Sequence, residues 1–141
     1  MQDADKLHIQ SGHGESGILS PKEFINISQE NGWGVQRKYD LEKVEKALVQ
    51  TQLIVCIRDE TGKLLGCARA LSDELFFTTI PDIFVHPDYQ GRGYGRMLME
   101  VIKEKLGHTS IFLGSQPGNE AFFEKQGFKK GLQSYQFKKR S

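Results

Sequence analysis

Three glycines alternate with larger residues directly ahead of an apolar run, at Gly91, Gly93 and Gly95. Glycine loses more backbone entropy on folding than any other residue, so the cluster needs a local reason. A glycine-rich turn between a strand and a helix exposes backbone N–H groups that converge on an anion. Arg92 and Arg96 would add charged donors suited to phosphate oxygens. The stretch therefore predicts a phosphate or pyrophosphate site, with a plain surface loop as the alternative.

The two familiar nucleotide-binding loops do not match this stretch. A P-loop needs the pattern Gly-x-x-x-x-Gly-Lys-Ser/Thr, and neither that spacing nor the lysine is present. A dinucleotide-binding fingerprint needs a third glycine where this chain has Arg96. A phosphate site here therefore uses a different motif.

Hydrophobic spacing places a strand before the glycines and a helix after them. A strand is predicted over residues 76–85, in which Pro81 indicates an edge position, a bulge or a late start. Apolar residues at helical spacing predict a helix over residues 94–106. Two apolar runs, 53–57 and 64–71, flank turn residues and predict a hairpin. The first of these runs is continuous, as expected for a strand covered on both faces.

The rest of the chain mixes helices with short strands. Ser20 before Pro21 and Asp40 before Leu41 indicate two helix starts. The other predictions are a weak strand near residues 7–9, a loop over 11–17, a strand over 111–113, a helix over 120–126 and a last strand over 135–137. No linker divides these elements. The sequence thus predicts one α/β or α+β domain over residues 1–141, with flexible ends at 1–6 and 138–141.

Composition limits the classes of partner. Nineteen Lys and Arg residues against eighteen Asp and Glu give a formal charge of +1, which argues against nucleic acid or an anionic membrane. Cys56 and Cys67 lie in apolar runs, so we expect buried, reduced thiols. The four histidines lack metal-ligand spacing, so no metal is expected. No signal peptide or membrane-spanning run is visible, and a cytoplasmic protein is therefore expected.

Two motifs resemble those of a known family. The pattern QxxGxG that begins at Gln90, preceded by VHP, resembles the acyl-CoA pyrophosphate loop of the GNAT superfamily, the Gcn5-related N-acetyltransferases. The run AFFEKQGF at residues 121–128 resembles the second signature of that family, a short helix ending in a Gly-Phe turn. The element order also agrees from about residue 7 to residue 137. A shorter match, in residues 68–73 and 82–85, resembles the branch with plastid serotonin or lysine acetyltransferases.

The resemblance implies a GNAT-like fold, in which a mixed, mostly antiparallel sheet is flanked by helices and splayed open at the acetyl-CoA site. It implies that the main chain of residues 91–96 holds the pyrophosphate and that the open backbone of residues 83–85 pairs with the pantetheine arm. A family asparagine that touches CoA corresponds best to Gln116, with Asn119 close enough to share its role. The residues expected to bind the cofactor are Ile83, Phe84, Val85, Gln90, Gly91, Arg92, Gly93, Tyr94, Gly95, Arg96, Gln116, Asn119, Phe122 and Phe123.

The implied reaction is direct acetyl transfer from acetyl-CoA to a primary amine of a small molecule or protein. An alkylamine is mostly protonated at neutral pH, since the reference pKa of lysine is about 10.4, and a base is needed. Asp82 is the candidate base, because it lies on the strand that would face the thioester. Asp73 and Glu74 are alternatives that could equally bind a cationic substrate. Each of these carboxylates could also be an exposed turn or strand-end residue without a catalytic role.

The chain departs from the family pattern at Phe123. Many members have a tyrosine there, whose hydroxyl protonates the departing sulfur, and phenylalanine cannot do so. Tyr135 is a candidate substitute, unless the thiol leaves as thiolate, its reference pKa being about 8.5. This departure keeps a second hypothesis open, a CoA-binding sensor module of the same fold with little or no turnover.

The acceptor site carries no transferable pattern in this family. Trp33, Asp73 and Phe76 are the candidates for contact with the substrate, and both aromatic residues could instead belong to the core. Pairing of edge strands or C-termini is common among relatives, so a homodimer is also open.

Overall fold

The computed structural model describes residues 6–33 and 39–140, which form one five-stranded sheet with helices on both faces. The elements are β1 (His8–Gly12), α1 (Pro21–Glu30), α2 (Leu41–Val49), β2 (Leu53–Arg58), β3 (Leu64–Ser72), β4 (Phe77–Val85), α3 (Tyr94–Leu106), β5 (Ser110–Phe112) and α4 (Glu120–Lys125). The strands lie in chain order; β1 to β4 are antiparallel and β5 runs parallel to β4. The predicted mixed, mostly antiparallel sheet is confirmed. Within the described ranges no helix is long and apolar enough to cross a membrane.

Strand β2 runs through the centre of the core. Val55 and Ile57 pack in one apolar cluster with α3, whereas Ile54 and Cys56 pack in a second cluster with α1 and α2. All four side chains are fully buried. A strand with helices on both faces needs an apolar residue at every position, which explains the continuous run in the sequence. The prediction of a strand covered on both faces is confirmed.

Helices α1 and α2 begin at the residues that the sequence predicted. The Ser20 hydroxyl accepts from the Glu23 N–H at 3.1 Å, and the Glu23 carboxylate accepts from the Ser20 N–H at 3.1 Å, which is a capping box. The Asp40 carboxylate accepts from the N–H groups of Glu42 and Lys43 at 3.0 and 3.3 Å. Both caps satisfy orphan N–H groups of a first helical turn, so local chemistry fixes where these helices start.

A bulge divides β4 at Pro81. Arg69 of β3 pairs with Asp82 and Leu71 pairs with Thr79, so two residues of β4, Ile80 and Pro81, lie opposite one residue of β3. The extra residue resets the alternation of side chains along β4. The even-numbered Ile80 packs in the α3 cluster, whereas beyond Pro81 the odd-numbered residues Ile83 and Val85 pack there. Of the three predictions for Pro81, the bulge is confirmed.

Strands β4 and β5 separate soon after they meet. They pair only at residues 77–79 of β4, so beyond Thr79 the outer edge of β4 has no neighbouring strand among the described residues. On its inner side, the His86 N–H donates to the Leu65 carbonyl at 2.8 Å. Because main-chain groups of an antiparallel strand alternate in direction, Ile83 and Val85 turn their N–H and C=O groups to the open edge. The predicted splay is therefore present.

Two predicted elements differ from the structure. The described residues beyond Phe128 lie in no helix or strand, so the strand predicted over 135–137 is wrong; a short alternating run needs a strand partner, and no described strand pairs with it. The loop predicted over 11–17 is wrong in part, because residues 11 and 12 pair with β2 and Gly14–Ser16 forms a 3₁₀ turn. Glycine is required at the start of that turn, because a Cβ there would overlap the Leu48 carbonyl oxygen.

The two cysteines are core residues. Cys56 and Cys67 are cross-strand partners, and both thiols are free and buried. Burial raises the pKa of Cys56 to about 12 and raises that of Cys67 well above its ordinary value. Thiols that stay protonated are poor nucleophiles, so the prediction of buried, reduced cysteines is confirmed and neither residue is suited to catalysis.

One prediction concerns the ion pair between α1 and β2, in which Arg58 donates to both Glu23 oxygens at 2.6 and 3.0 Å. This hydrogen bonding holds the pKa of Glu23 below its ordinary value of 4.5. The stabilisation is therefore present above about pH 4.5 and is lost as pH falls through the folded-state pKa. Glu23→Gln keeps the capping box. Allowing for solvent screening, we expect it to lower the free energy of unfolding by about 1 kcal/mol at pH 7 and by less at pH 3.

Urea unfolding at the two pH values measures this cost. Glu42→Gln is the matched control, because Glu42 forms an exposed pair with Lys46 at 3.7 Å and should change little at either pH. A cost for Glu23→Gln that does not shrink at low pH would contradict the ion-pair explanation.

Candidate functional site

The loop between β4 and α3 explains two of the three glycines by backbone conformation. Gly91 and Gly93 have φ values of 81° and 86°, in the left-handed region where other residues are strained. A Cβ at Gly91 would meet nothing within 4 Å, and one at Gly93 would meet only the Arg96 guanidinium at 3.6 Å. The need for glycine is therefore conformational, and it holds the loop in a shape that opens the start of α3 to solvent.

The N-terminus of α3 is left without a cap. Its N-cap residue, Gly93, has no side chain to offer, and the first turn contains no acidic residue. Within the described ranges, none of the backbone N–H groups of residues 90–96 donates to a protein acceptor. Unsatisfied N–H groups and the positive end of the helix dipole together attract an anion. The geometry is that of the anion site predicted from the sequence, although the binding itself stays a prediction.

Gly95 has a different role from its neighbours. It lies inside α3, and a Cβ there would approach the Phe122 ring at 3.2 and 3.3 Å, tighter than ordinary contact. The glycine thus lets the Phe122 ring of α4 pack against the first turn of α3. The spacing of the three glycines predicts that all of them serve anion approach, whereas for Gly95 the structure gives close packing as the reason. The same contact places α4 beside the loop.

Basic side chains surround the loop. The Arg92 guanidinium lies 4.9 Å from the centre of the Tyr89 ring, and Lys63 Nζ lies 5.3 Å from the same ring. Arg96 pairs with Glu100 at 3.1 Å on the exposed side of α3. Sequence reasoning found both arginines but missed Lys63, because Lys63 comes from the β2–β3 turn and only the folded sheet brings it to Tyr89.

The open edge of β4 offers a restricted set of main-chain groups. The Val85 carbonyl already accepts from Asn31 Nδ2 at 3.2 Å and from Gln90 Nε2 at 3.1 Å. Phe84 pairs with β3, and its ring packs against Phe24 at 6.0 Å. The groups left at the edge are the N–H and C=O of Ile83 and the N–H of Val85. The open edge over residues 83–85 is therefore formed by its two outer residues, whereas Phe84 faces inward, and pairing with a pantetheine arm stays a prediction.

Asp82 is held in a hydrogen-bonded ion pair. Its Oδ2 accepts from Arg69 Nε at 2.6 Å, and both side chains are about one-fifth exposed, 19% and 18%. The Arg69 guanidinium also lies 5.8 Å from the Phe24 ring of α1. No described residue donates to Asp82 Oδ1, which is the atom left to meet an amine or a water. Asp82 lies on the face of β4 that Phe84 shares, toward α1.

The other acceptor-side candidates are dispersed. Asp73 Oδ1 accepts from the N–H groups of Leu75, Phe76 and Phe77 at 2.8 to 3.0 Å, and these bonds lower the pKa of its carboxyl. A carboxylate with a lowered pKa is a weaker base, so the geometry favours a structural role in the β3–β4 turn. Phe76 is 77% exposed at the tip of that turn. Trp33 is 47% exposed just after α1, which excludes the core interpretation of both aromatic residues.

The aromatic residues near the predicted thiol position divide between core and surface. Phe123 is buried, and its ring packs edge to face on Phe122 at 5.1 Å and on Phe128 at 6.2 Å. Tyr94 is also buried in the α3 cluster. Tyr135 is 88% exposed outside any strand, so the basis for its proposed role as proton donor is removed. Gln116 and Asn119 are exposed in the turn before α4, where the Asn119 N–H donates to the Gln116 carbonyl at 3.0 Å.

The histidines make local structural contacts. Nδ1 of His13 accepts from the Glu15 N–H and Nδ1 of His86 accepts from the Asp88 N–H, both at 3.1 Å. His108 Nε2 lies 2.8 Å from the Glu74 carbonyl oxygen. In the part of the chain that the structure describes, no three His, Cys, Asp or Glu side chains are arranged to hold a metal ion.

Comparison with known sequences gives a consistent set of relatives. A family model described as an acetyltransferase (GNAT) domain matches residues 50–130, more than half of the chain. An uncharacterized N-acetyltransferase, ycf52, of Pyropia yezoensis is 36% identical over 112 residues, which are 75% of this chain and 63% of that protein. The chloroplastic GCN5-related N-acetyltransferase 2 of Arabidopsis thaliana is 38% identical over 76 residues, 50% of this chain and 29% of that protein. The chain thus spans less than two thirds of the length of these relatives.

Solved structures share the fold at low sequence identity. A GNAT-family acetyltransferase of Streptococcus pneumoniae has a TM-score of 0.78 at 20% identity, covering 96% of this chain and 99% of that one. An aminoglycoside acetyltransferase from an uncultured soil metagenomic sample, in complex with sisomicin, has a TM-score of 0.77 at 15% identity, covering 99% and 100%. At these identities the likeness shows a common architecture.

The contact between Gly95 and Phe122 gives a prediction for stability. Gly→Ala inside a helix usually gains about 0.5–1 kcal/mol, but here the added Cβ presses on the Phe122 ring. We expect Gly95→Ala to be neutral or destabilising in the natural sequence. In the Phe122→Leu background the same change should raise the free energy of unfolding by about 0.5–1 kcal/mol relative to Phe122→Leu alone. Chemical denaturation of the two single variants and the double variant measures the coupling, which should reach about 1 kcal/mol. Additive effects would show that the two residues do not meet.

Proposed function

This chain belongs to the GNAT family of acetyltransferases, and we propose that it transfers an acetyl group from acetyl-CoA directly to a primary amine. The observation that carries the proposal is the uncapped start of α3, beside the open edge of β4, where the N–H groups of residues 90–96 donate to no acceptor among the described residues. One site thus combines an anion cradle with an unpaired strand edge. A nucleotide thioester with a pyrophosphate and an amide-bearing arm has the chemistry to use both.

The residues present fit acetyl-CoA in three places. The N–H groups of the loop, with Arg92 and Lys63 beside Tyr89, suit the phosphates. The N–H and C=O of Ile83 and the N–H of Val85 suit the amides of the pantetheine arm, which would add to β4 as a strand does. The bound thioester supplies an activated acetyl group. Either of these two N–H groups, where the arm leaves it free, is also suited to stabilise the developing oxyanion, a contribution typically worth about a hundredfold or more.

Asp82 is the residue we propose to accept the proton of the attacking amine, directly or through water. It adjoins Ile83, so its side chain leaves β4 one residue from the main chain that would hold the thioester arm. Arg69 fixes the carboxylate through Oδ2 and leaves Oδ1 for the proton. The pair also presents the carboxylate on the α1 side of the sheet, where Arg69 lies against the Phe24 ring.

The leaving thiolate has no side-chain proton donor among the predicted candidates. Phe123 lacks a hydroxyl and Tyr135 lies exposed outside the sheet. A thiol with a pKa of about 8.5 leaves as thiolate or takes a proton from water. We therefore propose turnover without a general acid, which lowers the rate by at most the usual contribution of such a group, about 10²–10⁴-fold.

The acceptor class follows from the reaction: a primary amine of a small molecule or of a protein. One relative is named a histone acetyltransferase of Glycine max, and a structural neighbour was solved with the aminoglycoside sisomicin, so both kinds of acceptor occur in this fold or family. Release of free thiol from acetyl-CoA with a panel of small amines and lysine peptides tests the proposal. Binding of CoA without thiol release from any amine would instead support a sensor module, and absence of CoA binding would exclude both.

The loop gives a prediction for cofactor affinity. Gly93→Ala places a side chain on a backbone with φ of 86°, which costs about 1 kcal/mol or shifts the loop. We expect the affinity for CoA to fall at least tenfold, because displaced N–H groups no longer converge on the pyrophosphate. Gly17→Ala is the matched control: its φ is 73°, its Cβ meets nothing within 4 Å, and it precedes α1. Calorimetric titration with CoA measures the difference, and equal affinities for the two variants would exclude the loop as the phosphate site.

Asp82 gives a prediction for the rate of acetyl transfer. Asp82→Asn removes the proton acceptor but keeps a group of the same shape, so kcat/KM should fall by about 10²–10⁴. Asp73→Asn, at the other candidate carboxylate, should change kcat/KM little, since the amide oxygen can still accept the three turn N–H groups. Steady-state kinetics with acetyl-CoA and an amine measures both variants, and a kcat/KM that Asp82→Asn does not lower would remove Asp82 from the role of base.

A further inference from the structure

Two side-chain amides meet over the last carbonyl of β4. Asn31 Nδ2 and Gln90 Nε2 donate to the Val85 carbonyl oxygen at 3.2 and 3.1 Å. Gln90 Nε2 also donates to Asn31 Oδ1 at 3.2 Å, and Asn31 Nδ2 also donates to the Ile27 carbonyl at 2.9 Å. We call Asn31 and Gln90 the amide clamp.

The clamp joins two parts of the site that are distant along the chain. Asn31 is the C-cap residue of α1, and Gln90 is the first residue of the anion-binding loop, 59 residues later. Val85, between them, ends the open edge of β4. Helix α1 also contacts β4 directly, through Phe24 and Phe84. A shift of the loop would therefore have to break side-chain bonds to both α1 and β4.

We propose that Asn31 and Gln90 are positioning residues, which hold the loop ready for the phosphates before ligand arrives and withhold the Val85 carbonyl from the pantetheine arm. The inference rests on the proposed function, and it assigns to Gln90 a role different from the direct cofactor contact expected from the sequence.

Few main-chain hydrogen bonds hold the loop in place. Its main chain is tied by the Tyr89 N–H to the His86 carbonyl at 2.8 Å before the glycines and by the Met97 N–H to the Gly93 carbonyl at 3.1 Å after them. Between these bonds, the N–H groups of residues 90–96 have no acceptor among the described residues. A loop whose amides must stay free for a ligand needs side chains to fix it. Fixing it in advance removes an ordering cost from binding.

The clamp uses the full hydrogen-bonding capacity of the Gln90 amide nitrogen and of the Val85 carbonyl. A side-chain amide nitrogen has two hydrogens, and both hydrogens of Gln90 Nε2 are used within the protein. A carbonyl oxygen has two lone pairs, and both at Val85 are occupied by the clamp. An amide-bearing arm on this edge then finds one carbonyl acceptor, that of Ile83, flanked by two N–H donors. This sets the register in which the arm can pair with β4.

The experiment uses variants that remove the clamp amides at nearly constant shape, Asn31→Leu, Gln90→Met and the double variant. One net hydrogen bond corresponds to a factor of about three to ten in affinity. We expect each single variant to weaken CoA binding by about that factor in calorimetric titration and to raise KM for acetyl-CoA with little change in kcat. The double variant should bind CoA no more weakly than the single variant with the lower affinity, because the two amides act as one unit.

The matched control is Gln52→Met. Gln52 is also a bridging amide: it donates to the Gln50 carbonyl at 2.9 Å and accepts from the Ser72 N–H at 2.7 Å, away from the loop. Its loss should lower thermal stability without changing CoA affinity. If Gln90→Met weakens binding and Asn31→Leu does not, Gln90 contacts the ligand itself and the clamp is overturned. Loss of stability alone, with unchanged affinity in all variants, would also overturn it.

A second measurement needs no ligand, so it separates this inference from the proposed function. Amide hydrogen exchange of the free protein should accelerate at Tyr89 and Met97 in Gln90→Met, because the bonds at the two ends of the loop open more often. Asn31→Asp, which keeps the acceptor and loses the donors, should act in the same direction if Asn31→Leu does not fold. If the natural protein does not bind CoA, the proposed function is wrong, but the exchange measurement still tests whether the clamp holds the loop. Unchanged exchange at both amides would overturn the clamp.

Discussion

The separation of β5 from β4 after three residue pairs is the constraint on which the rest of the site depends. Inside a sheet, each strand satisfies its main-chain groups on both sides; beyond Thr79 the outer side of β4 has no such neighbour among the described residues. Backbone N–H and C=O groups near the core must then find other partners. The side-chain amides take the carbonyl of Val85, and the remaining groups are available to a ligand that pairs as a strand would.

The bulge at Ile80 and Pro81 decides which residues border that opening. Without the extra residue, Asp82 would continue the alternation of Ile80 and point into the α3 cluster, where a charge is costly. With it, Ile83 and Val85 pack toward α3 and Asp82 reaches Arg69 on the α1 face. A single inserted residue thus places the carboxylate and the open main-chain edge next to each other on one strand, which is the arrangement that the proposed amine attack on a held thioester needs.

The glycines illustrate how one sequence pattern can serve two physical needs. Gly91 and Gly93 allow left-handed backbone conformations that leave the start of α3 uncapped. Gly95 allows the Phe122 ring to pack against α3, which keeps α4 beside the loop. The open loop before α3 and the helix packed beside it therefore depend on neighbouring glycines for separate reasons. The charges along α3 suit its dipole at one end and leave it unopposed at the other. Lys103 and Lys105 lie in the last turn, at the negative end, whereas the first turn has no acidic residue to neutralise the positive end.

The sequence by itself determined the order of the elements up to α4, the helix starts at Ser20 and Asp40, the hairpin, the disturbance at Pro81 and the position of the glycine-rich loop before α3. These depend on caps, turns and periodicity, which act over a few residues. Only the tertiary structure decided that Asp82 pairs with Arg69, that Gly95 meets Phe122, that Gln90 meets Asn31 and that the segment around Tyr135 pairs with no strand of the described residues. Each of these depends on residues far apart in the chain, and the relative placement of such residues is set by sheet register and by the packing of helices against it, for which local spacing carries no signal.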